Sequence, residues 1–339
     1  MMEPITTPRR ALVTGATGLL GSSITRALAG LGTEVTALVR DERRARRLLP
    51  SSGRLRLLEG DVTRPESYAS ALPGCDAVFH TAAYFREYDQ PGGPDLALLE
   101  RTNVWAVTAL LEAAARESVP VVVHTSSHGI LAPVPGALAD ESSPVTTVPR
   151  NGYIASKIRA EERIREFRRH GAVRVPVIRP AWMWGPGDAG PTSSGRLFLA
   201  IARGALRVVP RGGNHTVDAR DVARACIAAA AVGKGTYNVA GAWLPLPGVC
   251  ADIAGVTGTT APRAISPRVA LAAAGALEFG ARLRRRPPVA SRDGVRAMLE
   301  GSHRRVSSAR AEQELGVVFR PIRQTLEDEA AWYHEQEML

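Results

Sequence analysis

Short apolar, β-branched runs alternate with longer stretches of helical spacing through the first half of the chain. The runs are ALVTG (11–15), EVTALV (34–39), LRLLEG (55–60), DAVFHTA (76–82), VPVVVHTSS (119–127) and VRVPVIRP (173–180). Between them, residues 20–30, 65–72, 95–117 and 152–169 carry the period of helices. Strands apolar on both faces need cover on both faces, and intervening helices supply it. The pattern predicts an α/β fold: a parallel sheet, right-handed crossovers and helices on either side.

After Pro180 the texture changes. WMWGPGDAGPTSSG (182–195) breaks into Gly, Pro and Ser, as loops do. A helix, then RVVPRGGNHTVD (207–218), helical ARDVARACIAAAA (219–231) and a further strand, TYNVAG (236–241), follow; the remainder is mainly helical. The chain therefore divides into a sheet domain, 1–181, rejoined at about 214–242, and a smaller lobe made of 182–213 and 243–339. Within the lobe, VALAAAGALEFGARL (269–283) is too short to span a bilayer and contains Glu278. The RRR that follows (284–286) would suit an interfacial helix, but packing into a core is the expectation.

Charge narrows the partners. The net charge is +10, and all but two of the 43 cationic side chains are arginine, the lysines being Lys157 and Lys234. In RDERRARR (40–47) and RAEERIREFRRH (159–170) the arginines are interleaved with acids, which reads as solvated helix faces and not as a nucleic-acid stripe. Cys75, Cys226 and Cys250 show no paired spacing, and no apolar leader precedes the first strand, so a reducing, cytoplasmic setting is expected. His80, His124 and His128 lack metal-ligand spacing, so no metal is expected.

Two motifs carry chemistry. LVTGATGLLGSS (12–23) sets Gly15, Gly18 and Gly21 between the first strand and the first helix. In that context, glycines let a pyrophosphate approach the backbone and the helix N-terminus. The second strand ends at Arg40, with Arg43, Arg44 and Arg46 nearby. Arginine there suits a ribose 2′-phosphate, so NADP(H) is expected before NAD, with Asp41 capping the next helix. In GYIASKIRAEE (152–162), Tyr153 and Lys157 stand one helical turn apart, a spacing expected by chance only about 0.04 times in this composition. A phenol with a pKa near ~10 is a poor acid–base group until a neighbouring ammonium lowers it, and that lowering is the expectation for Tyr153. Ser127 ends the fifth strand at the carboxyl edge of the sheet, where it would hydrogen-bond a substrate oxygen.

Together these motifs resemble the extended branch of the short-chain dehydrogenase/reductase superfamily, of the NAD-dependent epimerase/dehydratase type. The likeness is greatest to dihydroflavonol-4-reductase-like and 3β-hydroxysteroid-dehydrogenase-like enzymes and covers most of the chain. It implies a Rossmann doubly wound sheet with a smaller, mainly helical C-terminal substrate lobe. EGDVTRP (59–65) resembles the segment whose Asp61, with Val62, meets the adenine. HTAA (80–83) resembles the strand end where Thr81, Ala82 and Ala83 pass the cofactor. TNVWAVTALLEAA (102–114) resembles the helix that carries Asn103 at a structural and catalytic position. RPAWMWGPGD (179–188) resembles a turn that starts at Pro180, with Trp184 in place of the usual tyrosine.

The resemblance also places Thr17, Leu19, Leu20 and Thr125 beside the cofactor. It makes Ser127, not Ser126, the catalytic serine and has Lys157 hold the nicotinamide ribose. Dehydratases of this type carry an Asp-Glu pair where this chain has His128-Gly129. Nucleotide-sugar epimerases carry an arginine where this chain has Asn214, although Arg211 lies three residues upstream. An aromatic group around the catalytic edge (Tyr84, Phe85, Tyr88, Trp182 and Trp184, with Met183 and His128) points to an apolar substrate pocket. The expectation is an NADPH-dependent reductase of an apolar, aromatic or polycyclic ketone or aldehyde, acting as a homodimer. An epimerase and a non-catalytic NADP sensor are the alternatives.

Overall fold

The structure is a computed structural model that describes residues 7–85, 95–149, 151–169, 171, 173–283 and 292–339. Its strands are β1 (Arg10–Thr14), β2 (Glu34–Val39), β3 (Leu55–Glu59), β4 (Ala77–His80), β5 (Val122–Thr125), β6 (Val177–Pro180), β7 (Trp182–Trp184), β8 (Val208–Pro210), β9 (Gly213–Asp218), β10 (Thr236–Val239), β11 (Ala242–Pro245) and β12 (Arg263–Ile265). Its helices are α1 (Leu19–Gly30), α2 (Glu42–Leu48), α3 (Leu96–Glu100), α4 (Ala106–Arg116), α5 (Gly152–Arg168), α6 (Ser193–Ala202), α7 (Ala219–Ala231), α8 (Leu246–Thr257), α9 (Pro267–Leu283), α10 (Arg292–Leu299), α11 (Ala309–Leu315) and α12 (Ile322–Glu335).

Seven strands form one parallel sheet in the order β10-β6-β5-β4-β1-β2-β3. The strand order reverses between β1 and β4, the switch point where doubly wound sheets bind ligands at their carboxyl edge. Alternation sorts the side chains. Val13, Phe79, Val123 and Ile178 face α1 and α7, while Leu12, Val78, Val122 and Val177 face α4 and α5. On that second face Thr14, His80 and His124 are register partners across three adjacent strands.

The lobe has its own core, in which Trp184, Phe198, Val249, Ile253, Leu326 and Tyr333 pack together. Alongside its helices it carries two small sheets, β11-β9-β7 and β12-β8, which the sequence pattern did not reveal. In the returning stretch, β9 joins the small sheet while α7 and β10 join the large one. Val306 and α11 also return to the α1 side of the large sheet. Helix α9 departs from the core-packed expectation: Ala270 and Ala274 bury against Val295 of α10, whereas Val269, Leu277 and Phe279 stay exposed. Among the described residues no helix is long and apolar enough to cross a membrane.

Candidate active site

The glycine loop is built by close approach. Gly15 has φ +71°, and a Cβ on it would fall 2.7 Å from Ala82 N and 2.8 Å from Thr81 Oγ1. A Cβ on Gly21 would fall 2.1 Å from Gly15 O, so α1 starts against the loop itself. Gly18 caps α1 without a side-chain hydrogen bond, and the first turn holds no acid. The N-terminus therefore presents main-chain N–H groups and a positive dipole end outward. Thr17 and Gly18 reach the surface there, whereas Leu19 and Leu20 are buried. Leu20 packs into the α1 core and has only its main chain to offer the cradle.

Beyond the tips of β2 and β3 a groove of about 370 Å³ is bordered by Arg40, Gly60, Asp61, Arg64 and Ser67. Asp61 accepts from Thr63 N at 2.8 Å and from Thr63 Oγ1 at 2.7 Å. Burial opposes its ionisation, but those bonds and the charges of Arg40 and Arg64 hold the carboxyl below its ordinary value. Val62 is buried beside Leu38. Asp41 caps α2 as expected, accepting from Arg44 N at 2.9 Å. Thr81 Oγ1 donates to Thr14 O at 2.7 Å and ties the end of β4 to β1, with Ala82 and Ala83 following. A cradle that only glycine fits, an open helix N-terminus and an arginine-edged groove suit a dinucleotide laid along the carboxyl edge. A larger groove, about 500 Å³ between Arg10, Glu34 and Arg54, lies at the opposite end of β1 and β2.

The expected catalytic pair stands on α5. Asn151 caps it, accepting from Ile154 N at 2.8 Å, and Tyr153 and Lys157 follow on one face. Lys157 is buried; its Nζ donates to Thr125 O at 2.7 Å and lies 5.7 Å from the centre of the Tyr153 ring. Burial brings Lys157 down to about 8, with Glu161 opposing. For Tyr153 the expected lowering is not found: burial pushes the phenol up to about 12. Desolvation outweighs the ammonium here.

The turn after β5 packs on this helix. Ser127 Oγ accepts from Gly129 N at 3.1 Å, and a Cβ on Gly129 would fall 2.8 Å from Ile154 Cδ1, next in sequence to Tyr153. Asn103 sits in a π-turn (Arg101–Trp105) between α3 and α4 and is buried. Its Oδ1 accepts from Tyr84 N at 2.7 Å, while Nδ2 donates to Tyr84 O and Ser156 Oγ, both at 2.9 Å. Asn103 is therefore a positioning residue that pins the loop after β4 to α5.

The expected substrate residues divide. Phe85, 48% exposed, stands edge-on to the Tyr153 ring with centroids 4.9 Å apart. Trp182 and Met183 are partly buried. Trp184 is wholly enclosed in the lobe core, its ring tilted 58° against that of Trp182 with centroids 4.8 Å apart. His128 is turned inward: Nδ1 donates to Pro180 O at 3.1 Å, and burial pulls its pKa down to about 3. Tyr88 lies outside the described residues.

The sequence reading missed one pair that matters here. Arg179 on β6 grips Glu161 of α5 through Nε–Oε1 at 2.8 Å and Nη2–Oε2 at 2.5 Å, both side chains buried. Glu161 thus belongs to no solvated face. It stands one turn after Lys157, and that spacing was the available signal.

Comparison with known proteins shows the family. Residues 11–240 match the family model described as NAD dependent epimerase/dehydratase family. Sterol demethylase protein B of Methylococcus capsulatus is 31% identical over 337 residues, covering 97% of this chain and 99% of that protein. The 4-hydroxy-2-methyl-3-oxo-4-farnesyl-3,4-dihydroquinoline-1-oxide ketoreductase of Stigmatella aurantiaca is 33% identical over 220 residues, 64% of this chain and 62% of that protein. The crystal structure of gox2253 superposes with a TM-score of 0.80 at 29% identity, over 97% of this chain and 98% of that one. The chain belongs to the NAD-dependent epimerase/dehydratase family and is an NAD(P)-dependent oxidoreductase of the extended short-chain dehydrogenase/reductase type.

Proposed function

We propose that the protein uses NADPH to reduce the ketone or aldehyde of a predominantly apolar, aromatic or polycyclic small molecule, reversibly. The observation that carries this is the half-exposed Phe85 ring set against Tyr153, an apolar wall touching the acid–base phenol. The names of two relatives, a sterol demethylase protein and a ketoreductase of a farnesylated quinoline oxide, support the same class of substrate.

Bound along the carboxyl edge, the cofactor supplies the hydride. Tyr153, held protonated at neutral pH, donates its proton to the carbonyl oxygen. Ser127 already accepts from Gly129 N, which leaves its hydroxyl hydrogen to donate to the same oxygen. Lys157, anchored on Thr125 O, lends positive charge to the developing phenolate and a donor to the ribose. The N-terminus of α1 would hold the pyrophosphate, and Arg40 would hold a 2′-phosphate. Asn214, at the position of the epimerase arginine, accepts from His215 N at 2.9 Å, while Arg211 lies exposed, its N–H bonded to Ile265 O.

The test is NADPH consumption at 340 nm with aryl and polycyclic carbonyls beside UDP- and dTDP-hexoses. Turnover of the carbonyls is expected; turnover of nucleotide sugars alone would overturn the reading. Arg40→Ala should raise the KM for NADPH about tenfold and leave that for NADH nearly unchanged; equal effects would return the preference to NAD.

A further inference from the structure

Helix α9 presents the wrong face to water. At about 100° per residue, Val269, Ala272, Ala273, Ala276, Leu277 and Phe279 fall within one half of its surface. All six are exposed, Val269 by 55%, Leu277 by 48% and Phe279 by 65%. The opposite face buries Ala270 and Ala274 against α10. The one acid of the helix, Glu278, is turned that way too and accepts from Arg292 N at 2.9 Å. An ordinary surface helix does the reverse, putting its polar residues outward. Outward apolar patches of this kind mark contact sites.

The ends of the helix are basic. Arg268 is exposed in the first turn, Arg282 stands in the last, and the sequence runs on into Arg284, Arg285 and Arg286, which lie outside the described residues. An apolar face without charge, flanked by arginines on a chain of net charge +10, is the chemistry of a helix lying in a lipid interface. A second copy of the chain fits less well. With both ends basic, a symmetric pairing of α9 faces sets arginine against arginine in either direction.

We infer that α9 lies on an anionic lipid surface, with Val269, Leu277 and Phe279 entering the acyl boundary and Arg268 of its first turn meeting a phosphate headgroup. An apolar substrate would partition into that same layer. This last link rests on the proposed function; the lipid contact itself does not.

The experiment is co-sedimentation of the full-length protein with vesicles of phosphatidylcholine, with and without phosphatidylglycerol. Wild type should sediment with the anionic vesicles, less with the neutral ones, and less again at high salt. Leu277→Asp/Phe279→Asp should lower that partition by more than about tenfold. Its thermal melt should be unchanged, since both side chains are exposed. Three results would overturn the inference: wild type free in solution with both vesicles, equal partition of the variant, or a variant that only turns a dimer into a monomer in sedimentation velocity. None of these readings depends on turnover, so the carbonyl assay and the vesicle assay fail separately.

Discussion

At the carboxyl ends of β4 and β5, His80 Nε2, both ring nitrogens of His124, Thr125 Oγ1 and Ser126 Oγ are buried without a hydrogen-bond partner among the described residues. Beneath α12 the treatment is the opposite. Asp218 accepts from Arg220 N at 2.7 Å, Arg220 Nη2 at 2.6 Å and Thr325 Oγ1 at 2.8 Å. Asp221 takes Arg320 N at 2.7 Å, the Arg320 guanidinium and Arg224 Nη2 at 2.8 Å, and Glu329 accepts from Gly185 N at 2.9 Å. Unpaired buried groups cost stability, and native chains keep them chiefly where chemistry needs them. In the first cluster, burial together with the charge of Lys157 holds His80 down to about 3 and His124 well below its ordinary value. Both rings are therefore neutral beside a lysine that is itself brought down to about 8. One cluster lies beside the expected acid–base pair; the other ties α12 of the lobe to α7.

If that division is right, substitutions in the two clusters should separate rate from stability. The largest effect is expected from Tyr153→Phe. Its kcat should fall about a thousandfold, roughly 4 kcal/mol on the barrier, with NADPH binding by fluorescence and the melting curve unchanged. Asp218→Ala should do the reverse. It takes one of two carboxylates from Arg220, leaving Asp328 at 2.7 Å, and strands the Thr325 hydroxyl; urea unfolding should report a loss of about 2 kcal/mol, with kcat per folded molecule retained.

A smaller effect is expected from pH. Lys157 loses its charge as pH rises through about 8, so kcat/KM for reduction should decline above that value, tenfold per unit at the limit. Lys157→Met should abolish the limb together with most of the rate. Glu329 should give a pH dependence of stability alone. Burial first, then the charges of Asp188 and Asp218, raise its carboxyl well above 4.5, against the Gly185 N–H. The folded state then binds more protons than the unfolded, so stability falls as pH rises above about 4.5. Glu329→Gln should keep the Gly185 bond and narrow the difference in Tm between pH 5 and pH 8. Least of all, Ser126→Ala should raise stability by about 0.5–1 kcal/mol, because it removes an unpaired hydroxyl, while turnover persists. Loss of turnover there would move the catalytic serine from Ser127 to Ser126.

The large sheet was legible because its evidence is local. Short apolar runs such as Ala77–His80, a glycine trio and a Tyr–Lys turn each fit within one window of sequence. Asn103 was found, but not its work, since Tyr84 and Ser156 stand 19 and 53 residues away. Glu161 was hidden by neighbouring arginines: charge pattern alone does not say which acid of a run faces inward. In the lobe, β7, β8 and β12 are three residues each, too short to show alternation. Trp184 looked like a pocket residue by position, and only packing shows it enclosed.

The excursion that precedes β10 sets an order of assembly on the ribosome. Six strands of the large sheet emerge first, yet α7, whose Val222, Cys226 and Ala229 share one core with Leu20, Ile24 and Leu28 of α1, is translated only after the first part of the lobe. Until residue 231 has left the exit tunnel, the apolar side of α1 has no lid, and β6 keeps an open hydrogen-bonding edge until β10 arrives. A nascent chain paused near residue 181 is thus a sticky sheet one strand short and bare over α1, a natural client for holding chaperones. Cutting the gene at that boundary would yield an aggregate in place of a minimal nucleotide-binding domain.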